Sequence, residues 1–192
     1  MTKKLWEASK KQKKESNLFK FENYISKKFN IKFNQKYSNI LKWSIKRSED
    51  FWSSIWDFCK IKGIKGKKKL IKSKIFYKYK FLPKAKLNFA ENLLSKNNSD
   101  KAITFISENG FREERNWKNL NNNVDKLNNF FHKIKLKKKD RVVAYMPNLI
   151  ETVESFIATT SVGAIWSSCS PDFGVKGIIE RFSQIKPKVL FV

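Results

Sequence analysis

The residues with the clearest chemical potential lie in "SPDFGVKGIIERF", the stretch from Ser170 to Phe182. A serine, a proline and an aspartate come there directly before a predicted amphipathic helix. The Asp172 carboxylate is a suitable helix cap, and the free N–H groups of a helix's first turn attract an anion such as phosphate. Small residues also let a ligand approach the backbone. An ordinary strand-to-helix turn uses the same residue types, so a binding loop and a simple turn remain equally open.

Residues for nucleophilic or metal-dependent catalysis are scarce. His132 has no serine or cysteine near it in sequence, which favours a solvated or half-buried helix residue over a catalytic base. Cys59 and Cys169 have no partner spacing, so we expect two reduced thiols and neither a disulfide nor a zinc site. The glycines fit neither GxGxxG nor GxxxxGK[ST]; they stand at positions 63, 66, 110, 163, 174 and 177. The chain is therefore predicted to contain no catalytic residue and no metal site.

The elements that must position Ser170–Gly174 alternate between strands and helices. From Arg141 onward, "RVVAYM", "AIWSSC" and "KVLFV" are typical of buried strands, and "LIETVESFIATTSVG" and "VKGIIERFSQI" between them are typical of helices. This βαβαβ order predicts a parallel sheet and the α/β fold class. Ser170 to Gly174 then follow the carboxyl end of a strand, where open α/β sheets bind their ligands.

Ahead of the parallel sheet the pattern predicts a hairpin and a long helix. "KAITFIS" and "FREERNW" flank the turn residues Glu108, Asn109 and Gly110. Asn116 then caps a helix whose apolar residues recur at helical spacing. These residues are Trp117, Leu120, Val124, Leu127, Phe130 and Phe131.

The first half of the chain is predicted to be mostly helical. Ser48 is a suitable N-cap for "SEDFWSSIWDFCKIKG", a helix with an aromatic face that would close at Gly63. Large apolar faces are usually buried, so we expect this face to pack into a core and not to stack on bases. Residues 60–80 are interpreted as a long lysine-rich connection. Pro83 then precedes a short helix around Asn88 to Leu94.

The positive charge is concentrated in the same half. Of the formal net charge of +25, residues 1–90 carry 26 basic and 6 acidic side chains, whereas residues 91–192 carry 16 and 11. Such an excess is typical of proteins that bind nucleic acid or an anionic membrane surface. However, 37 of the 42 basic residues are lysine, and arginine is the better bidentate reader of phosphates and base edges. We predict a solvated basic background with no specific nucleic-acid or membrane partner; a lysine-rich fragment that binds nucleic acid non-specifically is the alternative.

Targeting signals are not apparent in the sequence. The start, "MTKKLWEASKKQKK", has no apolar core typical of a signal peptide. The longest uncharged run, Ser155 to Pro171, is rich in serine and threonine and is shorter than the ~20 residues of a spanning helix. A cytoplasmic protein is expected.

Four segments carry a resemblance to a known family. The most specific is "RVVAYMPNLIETVESFIATTSVGAIWSSCSPDFGVKGIIERFSQIKPKVLF", Arg141 to Phe191; the others are Tyr37 to Phe58, "LPKAKLNFAENLL" (Leu82 to Leu94) and "ENGFREERNWKNL" (Glu108 to Leu120). They resemble the acetoacetyl-CoA synthetase family of the adenylate-forming acyl-CoA synthetases. "WSSCSPDFG" and "IKPKVLF" favour the acetoacetate enzymes, because the acetate and propionate relatives usually carry a Phe-Gly-Gly-like turn in place of Ser170 to Asp172.

The resemblance implies a ligase that joins acetoacetate to CoA through an acyl adenylate, with ATP, CoA and Mg²⁺ as its cofactors. It implies an N-terminal helical region, residues 1–95, followed in residues 96–192 by the first βαβαβ units of the large AMP-binding domain. In the acetate enzymes the corresponding turn lies beside bound CoA. The resemblance therefore assigns six residues to the CoA channel: Ser170, Pro171, Asp172, Phe173, Gly174 and, as a weaker candidate, Arg181.

In these enzymes the phosphate loop, the nucleotide contacts, the acyl pocket and a catalytic lysine all lie further along the chain. We therefore expect this chain, which ends at Val192, to be an incomplete N-terminal portion that lacks the ATP and metal sites and is inactive alone. Another short-chain acyl-CoA synthetase, acting on acetate or propionate, is the alternative.

Overall fold

The computed structural model describes residues 5–192, apart from the side chain of Phe76. Residues 1–4 lie outside the described residues. They are the first residues of "MTKKLWEASKKQKK" and of the predicted helical region 1–95. The chain forms two compact units, divided between Lys86 and Leu87. The assignment of functional domains at residues 95 and 96 stays a prediction.

Four α-helices are the main regular elements of the first unit, in agreement with the prediction of a helical first half. Ser9 caps the first helix through reciprocal hydrogen bonds with Gln12, and Ser16 caps the second. Asn30, in the left-handed conformation, ends the second helix. The helices are α1 (Lys10–Glu15), α2 (Asn17–Phe29), α3 (Tyr37–Lys46) and α4 (Ser48–Phe58).

The predicted aromatic helix is α4, but its two ends differ from the prediction. Ser48 is already helical and Arg47 is the N-cap, without a side-chain hydrogen bond. Arg47 is also the C-cap of α3, so the two helices abut with no room for a separate serine cap. At the other end Cys59 is the C-cap, and Lys60 is left-handed at φ 52°, so the helix stops before Gly63.

The aromatic face of α4 packs into the core of the first unit, which confirms the predicted packing. The Phe58 and Phe21 ring centroids lie 5.2 Å apart, edge to face. Trp52 is the exception, because 44% of it is exposed and its ring lies 5.6 Å from that of Phe81. Phe51, Ile55 and Phe58 pack against the buried residues Phe21, Ile25, Phe33, Ile40 and Trp43.

The lysine-rich connection contains short elements of regular structure. Its strands β1 (Leu70–Ile71) and β2 (Lys80–Phe81) pair antiparallel, on either side of one 3-10 turn. Two lysines bind α4: the Lys65 Nζ lies 2.6 Å from the Asp57 carboxylate, and the Lys69 Nζ lies 3.1 Å from that of Asp50. Ion pairs therefore hold part of the connection against the aromatic helix.

Asp57 is the centre of a small charge network. Its carboxylate also accepts a hydrogen bond from Lys28 at 2.9 Å. Burial acts to raise the pKa of Asp57, but the hydrogen bonds from Lys65 and Lys28 outweigh burial and hold the pKa below its ordinary value. Burial likewise acts to lower the pKa of Lys28, yet its hydrogen bonds to Asp57 and Tyr24 outweigh burial and raise it.

The second unit begins with the predicted short helix, α5 (Phe89–Leu93). Asn88 is its N-cap, and the Asn88 side-chain oxygen accepts a hydrogen bond from the Glu91 N–H at 3.1 Å. The side-chain amide of Asn88 donates to the carbonyl oxygens of Thr160 and Ser161, at 3.1 and 3.0 Å. One side chain thus satisfies backbone groups of two separate segments.

The predicted hairpin and long helix are both confirmed. Strands β3 (Lys101–Ile106) and β4 (Arg112–Asn116) pair antiparallel around a turn in which Gly110 has φ 83°. Helix α6 (Trp117–Lys133) follows at once, and the Asn116 side chain accepts a hydrogen bond from the Asn119 N–H at 2.7 Å.

A three-stranded parallel sheet completes the second unit and confirms the α/β class. Its strands lie in the order β6-β5-β7, and the buried residues Val142, Val143 and Ala144 belong to the central strand. The elements are β5 (Arg141–Tyr145), α7 (Ile150–Ser161), β6 (Ile165–Cys169), α8 (Gly174–Ile185) and β7 (Val189–Phe191).

Two apolar clusters form the core of this unit. The larger brings α6 and α7 together around Leu120, Val124, Phe131, Ile157 and Ala158, with Ala90 from α5. The smaller packs Phe182 of α8 against Val143 and Cys169 of the sheet. Within residues 5–192 no helix has both the length and the apolar character needed to cross a bilayer.

Candidate functional site

Ser170–Gly174, which comprises the four residues between β6 and α8 and the first residue of α8, contains five of the six predicted site residues; we call this segment the loop. Ser170 is extended, with φ −66° and ψ 150°, and Pro171–Phe173 form one turn of 3-10 helix. Gly174 has φ 62° and ψ 166°, a backbone conformation that residues with a side chain rarely adopt. Because the parallel register pairs Cys169 with Tyr145, the loop lies at the carboxyl edge of both β6 and β5.

The predicted helix cap at Asp172 is wrong. The 3-10 turn separates Asp172 from α8, so that Phe173 is the N-cap, and among the described side chains none caps the first turn. The Asp172 carboxylate instead accepts a hydrogen bond from the Ser170 hydroxyl at 2.5 Å. The N–H groups that open α8 therefore remain without a side-chain acceptor and can bind a ligand.

Arg181 and Phe173, two of the predicted residues, are brought together. The Arg181 guanidinium carbon lies 4.2 Å from the centre of the Phe173 ring, a close cation–π contact. Both residues are exposed, and α8 carries Arg181. A guanidinium stacked by its face keeps its N–H edge available for an anionic group.

Tyr145 contacts the loop and was missed in the sequence analysis. It is the last residue of β5, and its hydroxyl donates a hydrogen bond to the Pro171 carbonyl oxygen at 2.8 Å. The signal was present, because a polar aromatic residue that ends a buried strand lies at the same sheet edge as the loop.

A second polar cluster, also missed, is largely buried. The Glu154 carboxylate, 4% exposed as a residue, accepts hydrogen bonds from the Arg115 Nε at 3.0 Å and from the Asn123 amide at 2.9 Å. These contacts join β4, α6 and α7, and no predicted site residue takes part in them. The cluster is complete in itself, which indicates a structural role.

The remaining reactive residues, His132, Cys59 and Cys169, lie outside the loop. His132 is an exposed residue of α6, in agreement with the prediction, and lines an open cavity of about 500 Å³. Cys59 is exposed, Cys169 is buried, and both are free thiols, as expected. Across residues 5–192 no group of three or more His, Cys, Asp or Glu side chains is placed to hold a metal ion.

The chain is similar to several known synthetases. It is 38% identical to the acetoacetyl-coenzyme A synthetase of Rhizobium meliloti (strain 1021) over 98% of its own length and 29% of that protein. It is 32% identical to the malonamoyl-CoA synthetase of Penicillium aethiopicum over 93% of this chain and 26% of the relative. These relatives confirm the resemblance found in the sequence, and the chain spans less than a third of their length.

A solved structure shows the same fold. The acetoacetyl-CoA synthetase from Streptomyces lividans superposes with a TM-score of 0.86 at 23% identity, over 98% of this chain and 30% of that one. The fold is therefore that of the N-terminal part of an adenylate-forming enzyme. The AMP-binding enzyme family model matches residues 91–192, more than half of the chain. The chain belongs to the AMP-binding enzyme family.

Proposed function

We propose that this chain is the N-terminal portion of an acetoacetate–CoA ligase, which converts acetoacetate, ATP and CoA into acetoacetyl-CoA, AMP and pyrophosphate. The observation that carries the proposal is the exposed loop Ser170–Gly174 at the carboxyl edge of the sheet, in a chain whose relatives are acetoacetyl-CoA synthetases. The cytoplasmic location of the protein stays a prediction.

The proposed reaction has two steps. A carboxylate oxygen of acetoacetate attacks the α-phosphorus of ATP, and the bond to pyrophosphate breaks. The CoA thiol then loses its proton and attacks the acyl carbon, and AMP leaves with the electron pair of the broken C–O bond. Both steps develop negative charge that positioned donors must stabilise.

The residues of this chain fit the second step better than the first. Mg²⁺ would neutralise the triphosphate in the first step, but the described residues provide no ligand cluster for it, so none of them is assigned to the metal. The loop and Arg181 offer instead a neutral backbone surface beside a cation. CoA has two parts that complement these: an uncharged pantetheine arm, which carries the thiol, and a nucleotide, which carries the anionic phosphates.

Within this proposal the loop contacts the pantetheine arm, and Arg181 faces the phosphates. The Asp172 carboxylate next to the start of α8 disfavours a phosphate directly on the loop. The guanidinium of Arg181, held against Phe173, is the stronger anion ligand nearby because it can form charge-assisted hydrogen bonds.

The assignment of the acid is tested by a ligase assay on the full-length protein. Acetoacetate, malonamate, acetate and propionate are compared by kcat/KM. We expect acetoacetate to exceed the acetate and propionate values by about tenfold or more, the usual effect of a small change in the substrate's size and polar groups. Preference for malonamate, acetate or propionate would overturn the acid assignment and leave family membership intact.

The role of Arg181 is tested by Arg181→Gln in the full-length ligase. Loss of its charge-assisted contact should raise the KM for CoA by about tenfold. Lys176→Gln is the matched control, because it removes one charge from an exposed residue of the same helix. Equal effects of the two variants would point to general charge attraction and would refute a specific contact.

The 192-residue chain alone should release no pyrophosphate from ATP with any of these acids. It has no glycine-rich phosphate loop in its sequence, and positioning of the triphosphate supplies most of the rate in such reactions. Acid-dependent pyrophosphate release by the purified chain would contradict this part of the proposal.

A further inference from the structure

Tyr145 connects the central strand of the parallel sheet to the candidate loop. Its ring packs, partly buried, against the cluster of Val143, Cys169 and Phe182. Its hydroxyl projects at the carboxyl edge and donates to the Pro171 carbonyl at 2.8 Å. A ring held by packing loses little further freedom when its hydroxyl binds, so this hydrogen bond is a stiff connection.

Within residues 5–192, the loop's other side-chain and turn contacts come from the loop itself or from the helix that follows it. Ser170 bonds to Asp172, the Phe173 N–H donates to the Ser170 carbonyl at 3.2 Å, and Phe173 stacks with Arg181 of α8. These contacts shape the loop, and its two ends are held at the sheet by Cys169, paired with Tyr145, and by Phe182 of α8, packed on Val143. The Tyr145 hydroxyl adds a direct hydrogen bond from β5 to the backbone in the middle of the loop.

We infer that Tyr145 is a positioning residue for CoA, acting through the Pro171 carbonyl to hold the loop Ser170–Gly174 in its binding conformation. This inference rests on the proposed function. Proline already fixes its own φ, so one hydrogen bond to its carbonyl restricts ψ, the remaining backbone rotation of Pro171. A preorganised loop pays less ordering entropy when the pantetheine arm binds.

The role proposed for Tyr145 concerns thioester formation and not adenylate formation. Tyr145 acts on the loop assigned to CoA and on no group assigned to ATP or the acid. Removal of its hydroxyl should therefore weaken CoA binding and leave adenylate formation unchanged. A merely structural tyrosine would affect both steps together, because general loosening of the fold reduces both.

The test uses Tyr145→Phe in the full-length ligase, since phenylalanine keeps the packed ring. The KM for CoA should rise about three- to tenfold, the effect of one lost hydrogen bond. Acid-dependent pyrophosphate release without CoA should match wild type. Tyr24→Phe is the control, because it also removes a hydroxyl that makes one hydrogen bond, accepted from Lys28 at 3.1 Å in the first unit. Its loss should not change the KM for CoA.

Hydrogen exchange provides a second readout that needs no turnover. The amides of residues 172–176 should exchange faster in Tyr145→Phe than in wild type, and addition of CoA should restore part of the protection. An unchanged KM for CoA, unchanged exchange, or an equal loss in both chemical steps would overturn the positioning role.

Failure of the proposed function gives a different result. If wild type uses another acid, the acetoacetate assignment falls, while the KM for CoA measured with that acid still tests Tyr145. If wild type forms adenylates but no thioester, the loop has no CoA to position, and both proposals are overturned.

Discussion

Two carboxylates, Asp57 in the first unit and Glu154 in the second, are held in opposite ways. In the first unit Asp57 lies at the surface between two lysines, with its side chain 39% exposed. In the second, Glu154 lies inside the fold with its side chain 5% exposed and is satisfied by Arg115 and Asn123. Exposed pairs are screened by water, whereas a buried carboxylate left unpaired is costly. The exposed ion pairs of Asp57 should therefore contribute less to folding stability than the buried contacts of Glu154.

The units also differ in how their elements meet. In the first unit the helices follow one another along the chain and pack through aromatic side chains such as Phe21 and Phe58. In the second, Val142 pairs with Val189 and Trp166 across the parallel sheet, so crossover helices must complete it. Parallel strands end at a common edge of the sheet. The parallel pairing therefore brings Tyr145, the last residue of β5, next to Pro171 in the loop that follows β6.

The largest effect is expected from the core of the second unit. Phe131→Ala removes a fully buried ring from the cluster between α6 and α7 and should lower the free energy of unfolding by about 3–5 kcal/mol. Hydrogen exchange should report the loss of protection mainly in residues 87–192. An equal loss in residues 5–86 would show that the two units do not behave as separate bodies.

The buried carboxylate should give the next largest effect. Glu154→Gln keeps the shape but removes the charge that faces Arg115, and should cost about 2 kcal/mol of unfolding free energy. Glu151→Gln is the matched control, since Glu151 lies 3.4 Å from the same guanidinium but its side chain is 52% exposed. Equal costs in chemical denaturation would remove the contrast between buried and exposed groups.

Asp57→Asn should have a smaller, pH-dependent effect in the first unit. The folded-state pKa of Asp57 is lowered, so its stabilisation is present above the unfolded pKa and is lost as the pH falls through the folded value. We expect a cost of about 1 kcal/mol or less at neutral pH, reduced by salt because the group is partly exposed. Denaturation midpoints of wild type and variant should converge in strong acid; a constant difference there would refute the ion-pair explanation.

The smallest effect is expected for polyanion binding by the lysine-rich half. Any binding of DNA or RNA should fall steeply with salt, show no sequence preference and be weak at physiological salt. Fluorescence anisotropy with unrelated oligonucleotides measures all three properties. Tight, sequence-dependent binding at physiological salt would give the first unit's charge a function of its own.

Much of the fold followed from local sequence patterns. Asn116 is predicted as a helix cap because it precedes a run of helical spacing, and β5, α7 and β6 are long enough for their periodicity to be read. Asn88 is predicted only to begin a short helix, and its role as a cap comes from the structure. Strands β1 and β2, with two residues each, are too short to show a period. The ion pairs that hold them depend on α4, which no local pattern reports.

The candidate site was predictable in position but not in detail. The carboxyl end of β6 followed from the βαβ order, whereas the misplaced cap at Asp172 arose because a 3-10 turn and the start of a helix look alike in sequence. Tyr145 and Pro171 are 26 residues apart and meet only through the parallel register. Arg115 of β4 and Glu154 of α7, 39 residues apart, meet through tertiary packing, which no local sequence pattern shows.

The contacts of the Asn88 side chain indicate where a truncated protein containing only the second unit should begin. A truncated protein that starts at Leu87 keeps Asn88, and with it the amide that binds the last carbonyls of α7. A protein that starts at residue 96 loses this amide together with Ala90, which is fully buried in the main core. The shorter protein would expose apolar surface, and only water could bind the last carbonyls of α7. We therefore expect it to be harder to purify in a folded form.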